Sequence, residues 1–422
     1  MSLRRTRVAP PQLRERLRPA ATIAILLGAL TFNAGLCFVN TGLFGVTDTM
    51  VMAMEGLLLA LAFTFALGRS VSIYLVLAVF LTYAAFLMAL RPMIDPKAVR
   101  DILIPVAFYA LGRRLPDLEL ADRAVFWSAA IVLGMGCFEY FALDVFTSYF
   151  NVIKYYVARG TVAPSELSDQ TGALFASGMR PDARALLPFL GPHRVSSVFL
   201  EPVSAGNFGA IVYLWALYRK GMKRRVLIGL MGIACIVLAD ARFGAYVSLA
   251  ATAVYLVSGK APRAAFVAAP FLILSVLALY GLTTAEKVWS NDIGGRMLWT
   301  AMLLTSLSPE AVFGLSPDKP FLSDSGYAYT LNNIGLVGFA GLWALFILLP
   351  QGTHRAWRYK AAAATYIMLL LLISDSVYTI KTAALFWFLL GASDAAPAET
   401  AARRLSPRQA GAREPIGAAA AG

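Results

Sequence analysis

Residues 225–257 read RVLIGLMGIACIVLADARFGAYVSLAATAVYLV. A helix crossing a bilayer needs about 20 apolar residues, so this run of about 33 is too long for one crossing. Its one polar interruption is Ala239-Asp240-Ala241-Arg242. The run therefore divides into two spans, about 225–239 and 243–257. The turn between them is so short that Arg242 must stay near the membrane surface. The rest of the chain repeats the pattern of apolar runs separated by charged turns. Of its 422 residues 59% are hydrophobic, and the mean hydropathy is +0.67. A soluble domain has about 45–50% apolar residues.

The expected fold is all-α and polytopic, with about twelve transmembrane helices. They fall at about 20–39, 50–67, 71–90, 98–112, 124–142, 203–218, 225–239, 243–257, 264–282, 329–350, 361–375 and 377–391. The fourth is the weakest, being short and interrupted by Pro96 and Pro105. Residues 1–19 form a basic N-terminus, 20–391 a single transmembrane domain, and 392–422 an Ala-, Pro- and Arg-rich tail expected to be disordered. The arginines from Arg4 to Arg18 resemble the start of a signal peptide. No clear cleavage site follows them, so the first run reads as a retained span. With the N-terminus in the cytoplasm, about two-thirds of the 37 lysines and arginines fall in cytoplasmic segments, as the positive-inside rule requires. The net charge of +13 is then membrane anchoring, and no nucleic-acid partner is expected.

Several chemistries are excluded by composition. His193 and His354 are the only histidines and are far apart in sequence, so a histidine-rich zinc site is ruled out. Cys37, Cys137 and Cys235 lie singly in separate apolar runs and read as packing residues. There is no phosphate-binding GxxxxGK[ST] loop and no Asp-x-Asp pair. No cofactor is expected.

Polar chemistry gathers on the outer side. Glu55, Glu139, Asp240, Arg242, Asp375 and Lys381 all lie near the outer ends of their helices. A coupled transporter would place charges nearer the midplane, on helices related by repeats, and no repeat is evident. Two outer loops are long, about 143–202 and 283–328. The first begins with Phe146, Tyr149, Phe150, Tyr155 and Tyr156, which suit an interfacial segment. The second carries an apolar patch, 294–307, too short to span and so expected to form an interfacial or re-entrant helix.

The first loop closes with His193-Arg194-Val195-Ser196-Ser197-Val198-Phe199-Leu200-Glu201-Pro202-Val203-Ser204-Ala205-Gly206. Ionisable groups at that depth are functional candidates. The same residues also suit an ordinary helix start, with Pro202 in the first turn and Arg194 paired with Glu201. Arg194, Arg242 and Arg296 all lie on the outer side. Converging guanidinium groups suit a diphosphate. Each alone reads as structural, and the functional case rests on the three together. A base for an incoming hydroxyl could be Asp324, Glu201 or His193.

Arg194-x-x-Ser197-x-Phe199-x-Glu201-Pro202 with Gly206 resembles the motif opening the post-loop helix of Wzy-type bacterial polysaccharide polymerases. The related O-antigen ligases carry a variant of it. Ala241-Arg242-Phe243-Gly244 is similar to their short arginine turn. Gly295-Arg296, Trp299, Gly314-Leu315, Asp324-Ser325-Gly326-Tyr327, Leu331 and Gly335-Leu336-Val337-Gly338 resemble their second-loop pattern. The resemblance covers 194–338 by motif, and xanthan-type exopolysaccharide polymerases are the nearest subgroup. It implies a GT-C-like glycosyltransferase of the bacterial inner membrane, working at the periplasmic face without a metal. Its substrate would be undecaprenyl-diphosphate-linked oligosaccharide, with a growing glycan passed onto a new lipid-linked unit. A flippase and a chain-length regulator would be pathway partners. Arg194, Arg242 and Arg296 match positions expected to hold diphosphate or glycan. Arg194, Glu201, Asp324 and Arg242 are the catalytic candidates, and His193, Ser197, Arg296 and Tyr327 the substrate-binding ones. Tyr327 could contact sugar or anchor at the interface. Asp324-Ser325 stands where ligases often carry His-Asn, which favours a polymerase over a ligase. A lipid-linked oligosaccharide flippase is the alternative from another class.

Overall fold

The computed structural model describes residues 11–68, 71–91, 95–163, 172–179, 185–284, 292–317, 322 and 324–396. The expected tail, apart from 392–396, and the first ten residues of the basic N-terminus lie outside them. The described residues are helical, with no strand beyond one isolated bridge between Met179 and His193.

Every expected span coincides with a helix. Six are long and apolar enough to cross a membrane: α1 (Pro11–Gly42, its apolar part Arg18–Gly42), α2 (Asp48–Ala66), α3 (Val71–Leu90), α5 (Leu118–Phe141), α11 (Arg263–Thr283) and α14 (Gly326–Leu348). The other six are α4 (Pro96–Arg114), α8 (Pro202–Tyr218), α9 (Arg225–Leu238), α10 (Arg242–Val257), α15 (His354–Leu370) and α16 (Ile380–Ala395). They are shorter or more polar, and burial explains much of this. Every residue of α16 from Ile380 to Asp394 is buried, and α8 and α15 are nearly as enclosed. Helices surrounded by protein need not match the hydrocarbon thickness. In contrast, α2, α3 and α11 leave large apolar side chains such as Leu75, Val79, Phe86, Leu272 and Val276 exposed. An apolar surface of that extent marks a membrane-embedded protein.

Several boundaries differ from expectation. The helix of the first span begins at Pro11, inside the basic N-terminus, and α16 runs to Ala395, into the expected tail. The spans expected at 361–375 and 377–391 are separated by a longer turn, 371–379, which carries Asp375.

The aromatic start of the first loop folds as α6 (Leu143–Tyr149) and α7 (Val152–Ala158). Tyr149 is exposed, but Phe146, Tyr155 and Tyr156 are buried. Tyr155 and Tyr156 join Cys37, Val46 and Leu200 in a small core of their own. These side chains therefore pin the loop to α1 as well as facing the interface. The apolar patch of the second loop is α12 (Ile293–Ser306), capped by Asp292, which accepts from the Gly295 amide at 2.7 Å. It packs on α11, and a short turn of helix, α13 (Pro309–Val312), follows.

Helix α14 is broken at Gly335, whose φ of 67° and ψ of 169° no helix contains. The carbonyls freed by the break are held by side chains. Arg91 donates to Asn332 O and Asn333 O at 3.0 Å each, and the Tyr83 hydroxyl donates to Ile334 O at 2.7 Å. Gly314 lies against Gly335, so two pieces of the second-loop pattern meet at this break.

Candidate functional site

Residues 193–201 are folded around one carboxylate. Glu139, wholly buried near the end of α5, accepts from Ser196 N at 2.9 Å, from Ser197 N at 2.5 Å, and lies 3.0 Å from His193 Nε2. Ser197 Oγ donates to Val132 O at 2.7 Å. Arg194 is also buried. Its Nε donates to Ala239 O at 3.1 Å and its Nη1 to Ser177 O at 2.9 Å. His193, Arg194 and Ser197 thus brace the loop against α5 and the α9–α10 turn. The alternative pairing of Arg194 with Glu201 is not what the structure shows: Glu201 pairs with Lys381 of α16, at 3.1 Å, and accepts from Ser204 Oγ at 2.9 Å.

The start of α8 and the start of α10 touch. A side chain at Gly206 would strike Ala241, its Cβ 2.0 Å away, and one at Gly244 would meet Gly206 O at 2.9 Å. This contact sets Arg242 beside the stretch that opens α8. Asp240, buried in the turn, accepts from the amides of Ala185 at 3.1 Å and Leu186 at 2.9 Å, tying the far part of the long loop to the same place. Arg242 is half-buried, and its guanidinium has no hydrogen bond or ion pair among the described residues.

From the second loop, Arg296 stands in the first turn of α12 with Nη1 3.5 Å from Asp324 Oδ1. Thr300 Oγ1 reaches Asp324 O at 3.4 Å and Leu372 O at 2.6 Å, which holds the Asp324 turn against α12. The Asp324 side chain is 56% exposed. Arg296 and Asp324 both lie within electrostatic reach of Glu201. Tyr327 corrects the expectation of a sugar contact or interfacial anchor. It is wholly buried, its ring edge-on to Phe339, because it faces into the bundle from the first turn of α14.

The two carboxyls are tuned in opposite directions. Burial works against ionisation of Glu201, but Lys381 beside it, its hydrogen bonds and the charge of Arg296 outweigh that and hold it below its ordinary value. Partial desolvation lifts the Asp324 carboxyl above its ordinary value although much of the side chain is exposed; Arg296 opposes the lift and Glu201 adds to it. Opposed shifts in neighbouring carboxyls are what separates a base from a fixed charge. The backbone is strained at the same place. The four non-glycine residues with positive φ among those described are Ser197, Leu200, Asp240 and Asp324, at 53°, 61°, 45° and 62°. Such residues cost of order 1–3 kcal/mol each and gather at functional sites.

Lys381, Glu139 and Asp375 entered the sequence reading only as charges at outer helix ends, and their part in the site was missed. A second network was not anticipated. Arg100 pairs with Glu55 and with Asp101 at 2.6 Å, and the Tyr329 hydroxyl donates to Asp101 at 2.5 Å. Asp375 is within electrostatic reach of both Asp101 of this network and Glu201. The signal for it was the outer-end position of Glu55 and Asp375; nothing in the sequence pairs them. Comparison with known proteins adds no family to this geometry: no family model, no curated protein and no solved structure matches the chain.

Proposed function

We propose that this protein is a membrane glycosyltransferase that polymerises lipid-diphosphate-linked oligosaccharide units, passing the growing glycan onto a new lipid-linked unit. The observation that carries this reading is convergence. Three segments with a resemblance to polysaccharide polymerases lie far apart in sequence, yet Gly206 meets Ala241 and Gly244, and Arg296 pairs with Asp324 within reach of Glu201. The chemistry needs a cationic cradle and a base. Arg242 and Arg296 supply guanidinium groups for the diphosphate, and Asp324 supplies the base. In the reaction, the acceptor hydroxyl oxygen attacks the anomeric carbon of the donor. The bond from that carbon to the diphosphate oxygen breaks, and the lipid diphosphate leaves with the electron pair. Asp324 takes the hydroxyl proton. Direct displacement of this kind inverts the anomeric carbon. His193, Arg194 and Ser197 act as positioning residues, with Glu139 beneath them.

One feature favours a transporter: the break in α14, since transporters place substrate at broken helices. Here Arg91 and Tyr83 occupy the freed carbonyls, which supports a built-in kink rather than an ion site. Deletion of the gene separates the readings. A polymerase predicts single repeat units accumulating on lipid at the outer face, rescued by wild type and not by Arg242→Ala or Asp324→Asn. Units accumulating toward the cytoplasm would mean a flippase, and long polymer retained on its lipid would mean a ligase.

A further inference from the structure

Helix α3 meets the bundle at one end only. Its buried residues are Phe80, Ala84 and Leu87, and none of the nine residues before Phe80 is buried. Beneath that stretch lies a cavity of about 550 Å³, a size typical of small-molecule sites, which run from about 300 to 1,000 Å³. Ile73 and Val76 of α3 form one wall, and Val106, Leu342, Phe346 and Trp387 the opposite one. An apolar gap open to the side of a membrane protein admits hydrocarbon in preference to water.

One end of the cavity is cationic. Arg113 and Arg114, in the last turn of α4, line it. The Arg114 guanidinium lies over Gly68, where a Cβ would be 2.5 Å from Cζ; its Nε is buried without a hydrogen bond, and it has no carboxylate partner among the described residues. Arg113 reaches the Tyr109 hydroxyl at 3.4 Å. The acid whose field it shares, Asp394, is already held by Lys360 at 2.6 Å and by Tyr109. Two adjacent guanidinium groups at the mouth of an apolar gap suit a phosphodiester with a hydrocarbon tail. Basic pockets between spanning helices on the cytoplasmic side take anionic lipid head groups in this way.

We propose that the cavity binds an anionic phospholipid, with an acyl chain between α3 and α4 and the phosphate on Arg113 and Arg114. The site is independent of the glycosyltransferase reading and lies at the opposite end of the bundle from Glu201. Its test uses the full chain purified in mild detergent, with binding read by native mass spectrometry and thermal unfolding. Phosphatidylglycerol, phosphatidylcholine and undecaprenyl phosphate are the probes. Phosphatidylglycerol is expected to bind and raise the Tm, and phosphatidylcholine to do neither. The Arg113→Ala/Arg114→Ala double variant should bind phosphatidylglycerol roughly tenfold or more weakly. Val76→Trp, which fills the cavity and leaves both charges, should abolish binding in a folded chain and decides the matter if the double variant does not fold. Equal binding of the two phospholipids overturns the proposal, as does wild-type binding by Val76→Trp. Tighter, arginine-dependent binding of undecaprenyl phosphate overturns it in favour of a polyprenyl site.

Discussion

The two ends of the helix bundle treat charge in opposite ways. At one end Lys360 and Asp394 form an ion pair at 2.6 Å, both side chains completely buried, with Tyr109 on the same carboxylate. The pair joins two regular helices, α15 and α16. At the other end Glu201–Lys381 and Arg296–Asp324 are partly exposed, the second pair is loose, and Arg242 has no charged partner among the described residues. The backbone there is strained at four positions. A pair closed off from solvent on both sides offers nothing to a ligand and serves the fold. Charges left half-satisfied on a strained frame keep binding capacity in reserve. The difference assigns stability to the Lys360–Asp394 pair itself and chemistry to the Glu201 end.

The strongest way to break that assignment is Asp324→Asn. Loss of a general base lowers turnover by about 10²–10⁴. Polymer formation should fall by that amount while the Tm stays within about a degree or two, since Asp324 is exposed and surface changes are usually within ±0.5 kcal/mol. Activity near wild type would falsify the base assignment. Next in size is Lys360→Met. It leaves Asp394 buried and unpaired, which costs about 3–5 kcal/mol. Thermal unfolding should show a large loss, and the fraction that remains folded should keep its activity per molecule. Lost activity in a chain of unchanged Tm would reverse the roles of the two ends.

Much of this frame was legible from sequence, and the limits have physical causes. The length of the apolar run 225–257 and its polar interruption placed α9 and α10 to within a residue or so, because length and hydropathy set what a membrane segment can be. The same reasoning could not see that α8, α15 and α16 are shielded by other helices; an apolar helix looks alike to lipid and to protein. The candidate residues were legible as types and not as roles. Arg194 and Arg242 look equivalent on paper, and only the carbonyls of Ala239 and Ser177 reveal that Arg194 is occupied. Tyr327 failed for a similar reason, since an aromatic residue in the first turn of a span can face the interface or the core. Lys381 could not be matched to Glu201 across 180 residues without the fold.

The two arginines give a finer test. Arg242→Ala removes a group with no hydrogen-bond or ion-pair partner among the described residues, so stability should be unchanged. Loss of one charge-assisted contact of about 1.5–3 kcal/mol to the diphosphate lowers turnover roughly 10- to 100-fold. Arg194→Ala should behave in the reverse manner, lowering the Tm by uncovering two buried carbonyls, with activity falling only as the loop loosens. Equal effects of the two substitutions on both readouts would erase the distinction between brace and ligand.

The smallest effect is with pH, and its sign follows from the opposed carboxyls. Asp324 serves as a base only when ionised, and its folded value lies above the ordinary carboxylate range. Activity should therefore fall as pH falls through that raised value, at most about tenfold per unit. For stability the same shift works the other way. A raised value means the ionised form is disfavoured in the fold, so protonating Asp324 relieves the protein slightly. Glu201 is depressed, so its contribution is complete above the ordinary carboxylate value and is lost only as pH falls through the lower folded one. Between the two values the protein should be folded and polymer formation slow. A titration that follows polymer formation and Tm together checks this: activity declines first, stability only at lower pH. Asp324→Asn should flatten the first decline and leave the second in place, whereas simultaneous decline of both in wild type would mean that Asp324 and Glu201 do not divide the roles of base and fixed charge.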